Sequence, residues 1–271
     1  TFSLSNYSLS AGIRAIDVDQ AGNLLLGTRG AEIFCVKNWE EPQMLVSGHF
    51  QGELWGLAMH PSEALCATCG GDKTVRVWDL LEGKQKLAVT LEKDSRAIDW
   101  SVDGSLLVLG LVDGSVLLLS AADLSVVSEL ESSFGGKDSW IQDIKFSPEG
   151  NKVAFGTHGG PSKVEIAGVE NSQLFRMHTV DVGLSSALTH LEWSTDGKLL
   201  AVNSQAYELK FISVEEQKSV SSSSVKETEW FGWTCVLGWP VEHIWPKGSD
   251  GTDINCCAKS RNNKVLATAD D

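Results

Sequence analysis

Basic residues are scarce in this sequence: 22 Lys and Arg stand against 36 Asp and Glu, a formal net charge of -14. No local cluster of Lys and Arg relieves that balance. Neutralisation of phosphates by such residues supplies most of a protein's affinity for nucleic acid, so nucleic acid is disfavoured as a main partner. Also missing is any unbroken apolar run near the ~20 residues of a membrane helix, and no membrane partner is expected. The polar opening TFSLSNYSLS lacks the charged-then-apolar pattern of a secretory leader. Six cysteines, Cys35, Cys66, Cys69, Cys235, Cys256 and Cys257, show no framework spacing. That points to reduced thiols in a cytoplasmic setting rather than to disulfides. Asn6-Tyr7-Ser8 matches a glycosylation sequon, a pattern loose enough to arise by chance.

What is present is a repeat. Apolar alternation followed by a turn recurs in AIDVDQAGNLLLGT, GLAMHPSEALCATCGGD, AIDWSVDGSLLVLGLVDG, DIKFSPEGNKVAFGTHGG and HLEWSTDGKLLAVNS, and a sixth copy, CCAKSRNNKVLATADD, ends the chain. The position before each turn is Val18, Met59, Trp100, Phe146, Trp193 and Lys259, giving steps of 41, 41, 46, 47 and 66 residues. Several short strands per unit at a period of roughly 40–45 residues are the mark of a β-propeller built from four-stranded blades. Period-2 patterning excludes helical repeats, and no long amphipathic helix is visible. The reading is an all-β fold with one domain over 1–271, comprising five four-stranded antiparallel blades and the first part of another. Such a ring is not closed by these residues. Strands are expected at Ile13 to Val18, Asn23 to Thr28 and Glu32 to Lys37, and likewise in later copies. The long last step places an insertion at about 215–251, opening on a serine run expected to be a mobile loop. Trp100, Phe146 and Trp193 are assigned to packing between blades.

Gly48-His49 precedes the second copy and Trp78-Asp79 closes it, the spacing of the G-H…W-D signature of WD40 blades. In such a blade His49, Thr68, Asp72 and Trp78 form a hydrogen-bond chain. A carboxylate accepts from imidazole, a hydroxyl both donates and accepts, and an indole only donates. The third copy has Leu109, Asp113 and Leu119 at the matching positions, so its turn survives without the polar chain. This makes the sequence an atypical WD40 member. A His-Asp-Thr set also raises nucleophilic catalysis, but the indole donor ends the chain and no oxyanion loop adjoins Thr68.

Other patterns have duller readings. Cys66 and Cys69 spell C-x-x-C, yet residues three apart on a strand face opposite ways and cannot readily share a metal. The pair Cys256-Cys257 has the same difficulty. GTHGGP, from Gly156 to Pro161, resembles an esterase loop without the G-x-S-x-G elbow, and FGGKDS lacks the spacing of a phosphate loop. No catalytic residue, metal or cofactor is assigned. Trp230, Trp233, Trp239 and Trp245 crowd the insertion; packing onto the protein's own sheets is favoured, and any exposed member becomes the candidate partner-binding residue.

At GHFQGELWGLAMHPSEALCATCGGDKTVRVWD, above all in GELWGLAMHP, the sequence resembles the echinoderm microtubule-associated protein-like family. The resemblance returns in WTCVLGWPVEHIWPKGSDGTDINCCAKSRNNKVLATADD, through Trp-Thr-Cys-Val-Leu-Gly, Ile-Trp-Pro and Gly-Ser-Asp-Gly-Thr-Asp-Ile-Asn. It implies the C-terminal propeller of a tandem module that binds tubulin or microtubules, and hence a cytoskeletal location. The leading expectation is a non-enzymatic scaffold. The alternative is a general WD40 platform holding another protein, since fold alone does not decide partner. A propeller hydrolase would require several titratable residues converging at the centre.

Overall fold

Short apolar runs broken by Asp, Asn and Gly turns favour hairpins, and hairpins are what form. The computed structural model describes Leu4 and residues 12–50, 52–131, 139–159, 163–245, 254–260 and 262–270. The sequon at Asn6, most of FGGKDS and the end of GTHGGP lie outside these residues. Tertiary contacts group the chain into two compact units, Thr1–Ser95 and Arg96–Asp271.

The first unit holds two antiparallel sheets, each with its strands in chain order. One comprises β1 (Ile13–Val18), β2 (Leu24–Thr28), β3 (Glu32–Val36) and β4 (Gln43–Ser47). The other comprises β5 (Leu54–Met59), β6 (Leu65–Gly70), β7 (Thr74–Asp79) and β8 (Lys84–Thr90). Leu24, Leu26, Phe34 and Val36 pack with Leu4, while Leu25, Ile33 and Val46 remain exposed.

The second unit repeats the pattern. β9 (Ser95–Trp100), which opens at the unit boundary, joins β10 (Leu106–Leu111), β11 (Val116–Ser120) and β12 (Val126–Leu130). Next come β13 (Ile141–Phe146), β14 (Lys152–Thr157), β15 (Lys163–Glu170) and β16 (Gln173–Asp181). The last four-stranded sheet is β17 (Leu188–Trp193), β18 (Leu199–Ser204), β19 (Leu209–Ser213) and β20 (Lys218–Val220). A two-stranded sheet of β21 (Ile254–Lys259) and β22 (Leu266–Asp270) follows.

The strands expected near Asn23 and Lys37 are one residue shorter at those ends. A larger difference is β20, which lies inside the expected insertion. Its few residues, Lys-Ser-Val, carry no period long enough to read, and pairing with β19 makes the strand. The insertion therefore begins after Val220.

One turn chemistry joins the first and second strands of several sheets. Ser101, Ser194 and Ser260 each donate a hydroxyl proton to an Asp or Asn two residues on, at 2.6–2.8 Å, and each accepts the amide of the residue five on, at 2.9 Å. The side chains thus take over main-chain hydrogen bonding at the corner. Gly104 and Gly197 sit in these turns at φ of +76° and +66°, where a Cβ would be strained. Register shifts recur near the start of β1, β5, β13, β17 and β21, between residues two apart such as Ile141 and Asp143. Bulges of this kind increase the local twist.

Neighbouring sheets of the second unit interlock by size. Ile141 opens β13 and fills the space above Gly110 of β10; Leu188 opens β17 and fills the space above Gly156 of β14. Both apolar side chains are buried, each contributing about 1.5–3 kcal/mol. Phe146 packs with Val108 and Phe155, and Trp193 with Ile166 and Val202, so both lie between sheets as expected. A Cβ on Gly110 would stand 2.3 Å from Ile141 and one on Gly156 2.4 Å from Leu188. Gly110→Ala and Gly156→Ala are each expected to destabilise the second unit by about 1–3 kcal/mol, read as a lower urea midpoint at unchanged slope.

Candidate functional site

The second sheet of the first unit brings the four signature residues together. Thr68 of β6 lies opposite Arg76, and Cys66 opposite Trp78, so Thr68 and Trp78 share a face. Trp78 Nε1 donates to Thr68 Oγ1 at 2.8 Å, Thr68 Oγ1 lies 2.8 Å from His49 Nε2, and His49 Nδ1 lies 2.9 Å from Asp72 Oδ1. The carboxylate can only accept, so Nδ1–H donates to Asp72; the indole donates to the Thr68 hydroxyl, and the direction between that hydroxyl and His49 Nε2 follows the imidazole's protonation. Asp72 is held in turn by the amide and hydroxyl of Thr74, at 3.0 and 2.8 Å. Burial would raise the Asp72 carboxyl, but hydrogen bonds from His49 and Thr74 outweigh it and hold the group below the usual carboxylate range.

Arg76 extends the chain beyond what the motif announced. It is buried, its Nη2 lies 3.2 Å from Asp72 Oδ2, and its Nη1 donates to the carbonyl and hydroxyl of Ser47 on β4. The polar chain of one sheet is thereby tied to the edge strand of the other. An Arg on a strand otherwise buried at this level was the available sequence signal, because a buried guanidinium requires partners.

In the first sheet of the second unit the turn keeps Asp113, but Leu109 and Leu119 stand buried where Thr68 and Trp78 would be. The unit's charged residues cluster instead on the first strands. Asp99 Oδ2 accepts the amide of Phe146 at 2.8 Å, and Asp143 Oδ2 accepts that of Leu191 at 2.8 Å. Glu192 Oε2 accepts the amide of Thr234 at 3.1 Å. Lys145 lies among them, 3.7 Å from Asp143 Oδ1. Burial pushes Asp99 up to about 6 and Glu192 up to about 7, with Lys145 acting against both. Burial would lower Lys145, but Asp143, Asp99 and Glu192 together hold it above its usual value. Several titratable groups do converge here, and the carboxylates are each engaged by a main-chain amide of the next element.

Of the four insertion tryptophans, three are packed inward. Trp233 is 1% exposed among Phe211, Val225 and Val241; Trp230 and Trp245 lean on the same cluster. Trp230 meets Trp233 edge-on at 5.3 Å, and Trp245 Nε1 donates to Val236 O at 2.9 Å. As candidate contacts Trp230, Trp233 and Trp245 are thus corrected to core and core rim, because aromatic area this large is best removed from water. Trp239 stacks on Phe211 at 5.8 Å yet stays 44% exposed, and Phe231 is 51% exposed. The serine run is a short 3-10 turn, Ser222–Val225, rather than a free loop, since Val225 is drawn into the cluster.

All six cysteines are free thiols; Cys256 is exposed and Cys257 buried, as adjacent strand positions require. Burial pushes Cys69 and Cys257 up to about 12, which makes them poor nucleophiles. Among the described residues no group of three His, Cys, Asp or Glu side chains is arranged for a metal, and no helix is long and apolar enough to cross a membrane.

Successive four-stranded meanders, a Trp-Thr-His-Asp chain and interlocked first strands define a WD40-type β-propeller. A chain in the crystal structure titled "Crystal Structure of Mitotic Checkpoint Complex" shares the fold at a TM-score of 0.54, with 20% identity over 74% of this chain and 61% of that one. Residues 54–271 match the family described as echinoderm microtubule-associated protein second beta-propeller, and the chain belongs to that family. It is 34% identical over 260 residues to echinoderm microtubule-associated protein-like 2 of Mus musculus, covering 96% of this chain and 39% of the relative. It is 34% identical over 269 residues to the 77 kDa echinoderm microtubule-associated protein of Lytechinus variegatus, covering 96% and 38%. The chain therefore spans about two fifths of the length of these relatives. The match opens at Leu54, the first residue of β5, so β1–β4 precede it.

Removing Asp72 takes the hydrogen-bonded carboxylate from the buried Arg76 guanidinium and leaves it, among carboxylates, only the weaker attraction of Glu32. Asp72→Ala is expected to cost the first unit about 3–5 kcal/mol in urea unfolding at neutral pH. With the folded value depressed, the wild-type contribution of Asp72 is present above the unfolded 3.8 and is lost as pH falls through the folded value. Asp99 and Glu192 have the opposite sign. Their folded values lie above the unfolded 3.8 and 4.5, so their contribution is full below the unfolded values and is lost as pH rises through about 6 and about 7. Stability of the second unit should fall over that window, and Glu192→Gln should flatten the fall by an amount on the order of 1–3 kcal/mol, measured by urea unfolding at stepped pH.

Proposed function

We propose that the chain is part of a non-enzymatic cytoskeletal scaffold that engages tubulin or microtubules. The observation that carries this reading is an alignment running along 96% of the chain with relatives named as microtubule-associated proteins. The geometry supports it in two ways. Asp99, Asp143 and Glu192, the groups a hydrolase would draw on, accept main-chain amides of neighbouring elements, an arrangement suited to holding sheets together. The insertion, meanwhile, presents aromatic surface through Trp239 and Phe231. Rigid exposed rings of this kind dominate protein interfaces.

The second reading, a platform for another protein partner, is favoured by the apolar face of the first sheet, where Leu25, Ile33 and Val46 are exposed. Competition separates the two: under the first reading tubulin displaces whatever the chain captures.

Acidic surfaces repel a chain of net charge -14, so shape-specific contact rather than charge must carry the affinity. In co-sedimentation with microtubules, weak binding is expected that holds or strengthens from low to high salt as the repulsion is screened. Trp239→Ala should weaken it about fivefold to thirtyfold, the ~1–2 kcal/mol of an interface aromatic. Tight binding that collapses steeply with salt would contradict the charge argument.

A further inference from the structure

The serine turn serves two opposed environments. Val225, its one apolar side chain, is buried against Ala201, Phe211 and Trp233, whereas Ser221, Ser222, Ser223 and Ser224 are all exposed. A turn this short cannot sustain itself through main-chain bonds, so Val225 is its anchor. Ser224 Oγ donates to Ser221 O at 2.7 Å. With Ser223 it opens on a surface concavity of about 580 Å³ whose charged walls are Asp196, Lys226, Glu227 and Glu229. Asp196 comes from the turn between β17 and β18 and pairs with Lys198 at 3.8 Å. Three carboxylates and Lys226 thus line the concavity beside the serines, and Lys198 pairs with one of those carboxylates.

We propose that Ser224 is a phosphorylation site for a protein kinase that reads acidic residues C-terminal to its acceptor, and that the phosphate undocks the turn. Glu227 stands three residues after Ser224 and Glu229 five, both exposed. Upstream the nearest base is Lys218, six residues away, too distant for a kinase selecting a basic residue just N-terminal to its acceptor. In the transfer, Ser224 Oγ bonds to the γ-phosphorus of a nucleoside triphosphate as the bond from that phosphorus to the β,γ-bridging oxygen breaks. The diphosphate leaves with the electron pair, and the hydroxyl proton passes to the kinase's carboxylate base.

The product carries about -1.5 to -2 charge at neutral pH and no longer has the proton that Ser224 donated to Ser221. Asp196, Glu227 and Glu229 repel it, and Lys198 and Lys226 offset only part of that repulsion. The strain falls on the segment tying the insertion to β17, where Thr195 N–H donates to Glu229 O at 2.8 Å and Phe231 N–H to Trp193 O at 2.9 Å. This inference is independent of the tubulin reading.

The test treats the full chain with an acidophilic serine kinase and ATP, maps the phosphate by mass spectrometry and follows amide hydrogen exchange over residues 221–231. Phosphate is expected on Ser224 and is lost in Ser224→Ala. Exchange over the turn should quicken by ~tenfold or more after modification, with β13 and β14 unchanged, and unmodified Val225→Ala should show the same local quickening. Phosphate on another serine of the run, no incorporation, or phosphorylated Ser224 with unchanged exchange each overturns the proposal.

Discussion

The constraint on which the second unit depends is that the first strand of each sheet is an edge, with main-chain amides that its own sheet does not satisfy. Carboxylates from the preceding first strand answer it. Asp99 on β9 takes the amide of Phe146 on β13, Asp143 on β13 takes that of Leu191 on β17, and Glu192 on β17 reaches Thr234 of the insertion. Each bond spans two elements distant in sequence, so it fixes the spacing and the register of neighbours at once. Apolar packing then follows that register: Ile141 drops onto Gly110 and Leu188 onto Gly156 only because the first strands are held at this height.

The cost of this arrangement is charge in a place largely cut off from water. Three carboxylates and one lysine share the site, and burial moves two of the carboxyls toward neutrality. Apolar residues of similar volume would not carry that penalty, but neither would they satisfy the edge amides. The first unit meets the same need differently. There a relay from Trp78 through Thr68 to His49 ends on Asp72, and Arg76 carries the link across to Ser47. One unit distributes its polar contacts along the first strands; the other gathers them at a single turn.

The insertion follows from the same logic. Glu192 needs a donor beyond the last four-stranded sheet, and the segment after Val220 supplies Thr234 while laying Trp233 and Val225 over Ala201 and Phe211. Most of its aromatic surface is consumed in that packing. What remains outside, Trp239 and Phe231, is small and rigid, and the serine turn that leads into it is fastened by one valine. A surface so anchored joins a firm scaffold to a segment whose attachment is local.

Much of the fold was legible in the residues themselves. Period-2 alternation, Asp-Gly corners and a step near forty residues announce repeated meanders, because a strand's side chains must alternate and its turns must satisfy their own amides. His49, Thr68, Asp72 and Trp78 could likewise be named from spacing, since the hairpin register puts Thr68 and Trp78 on one face, beside the entering loop with His49 and the turn with Asp72. Contacts between elements were beyond reach. Arg76 meeting Ser47, Asp143 meeting Leu191, β20 pairing with β19, and the choice of Trp233 as core and Trp239 as surface all depend on which strands become neighbours. Local propensity determines that a segment bends or extends; only the folded chain brings residues forty positions apart within hydrogen-bonding distance, and only then is a carboxylate's partner, or an indole's exposure, decided.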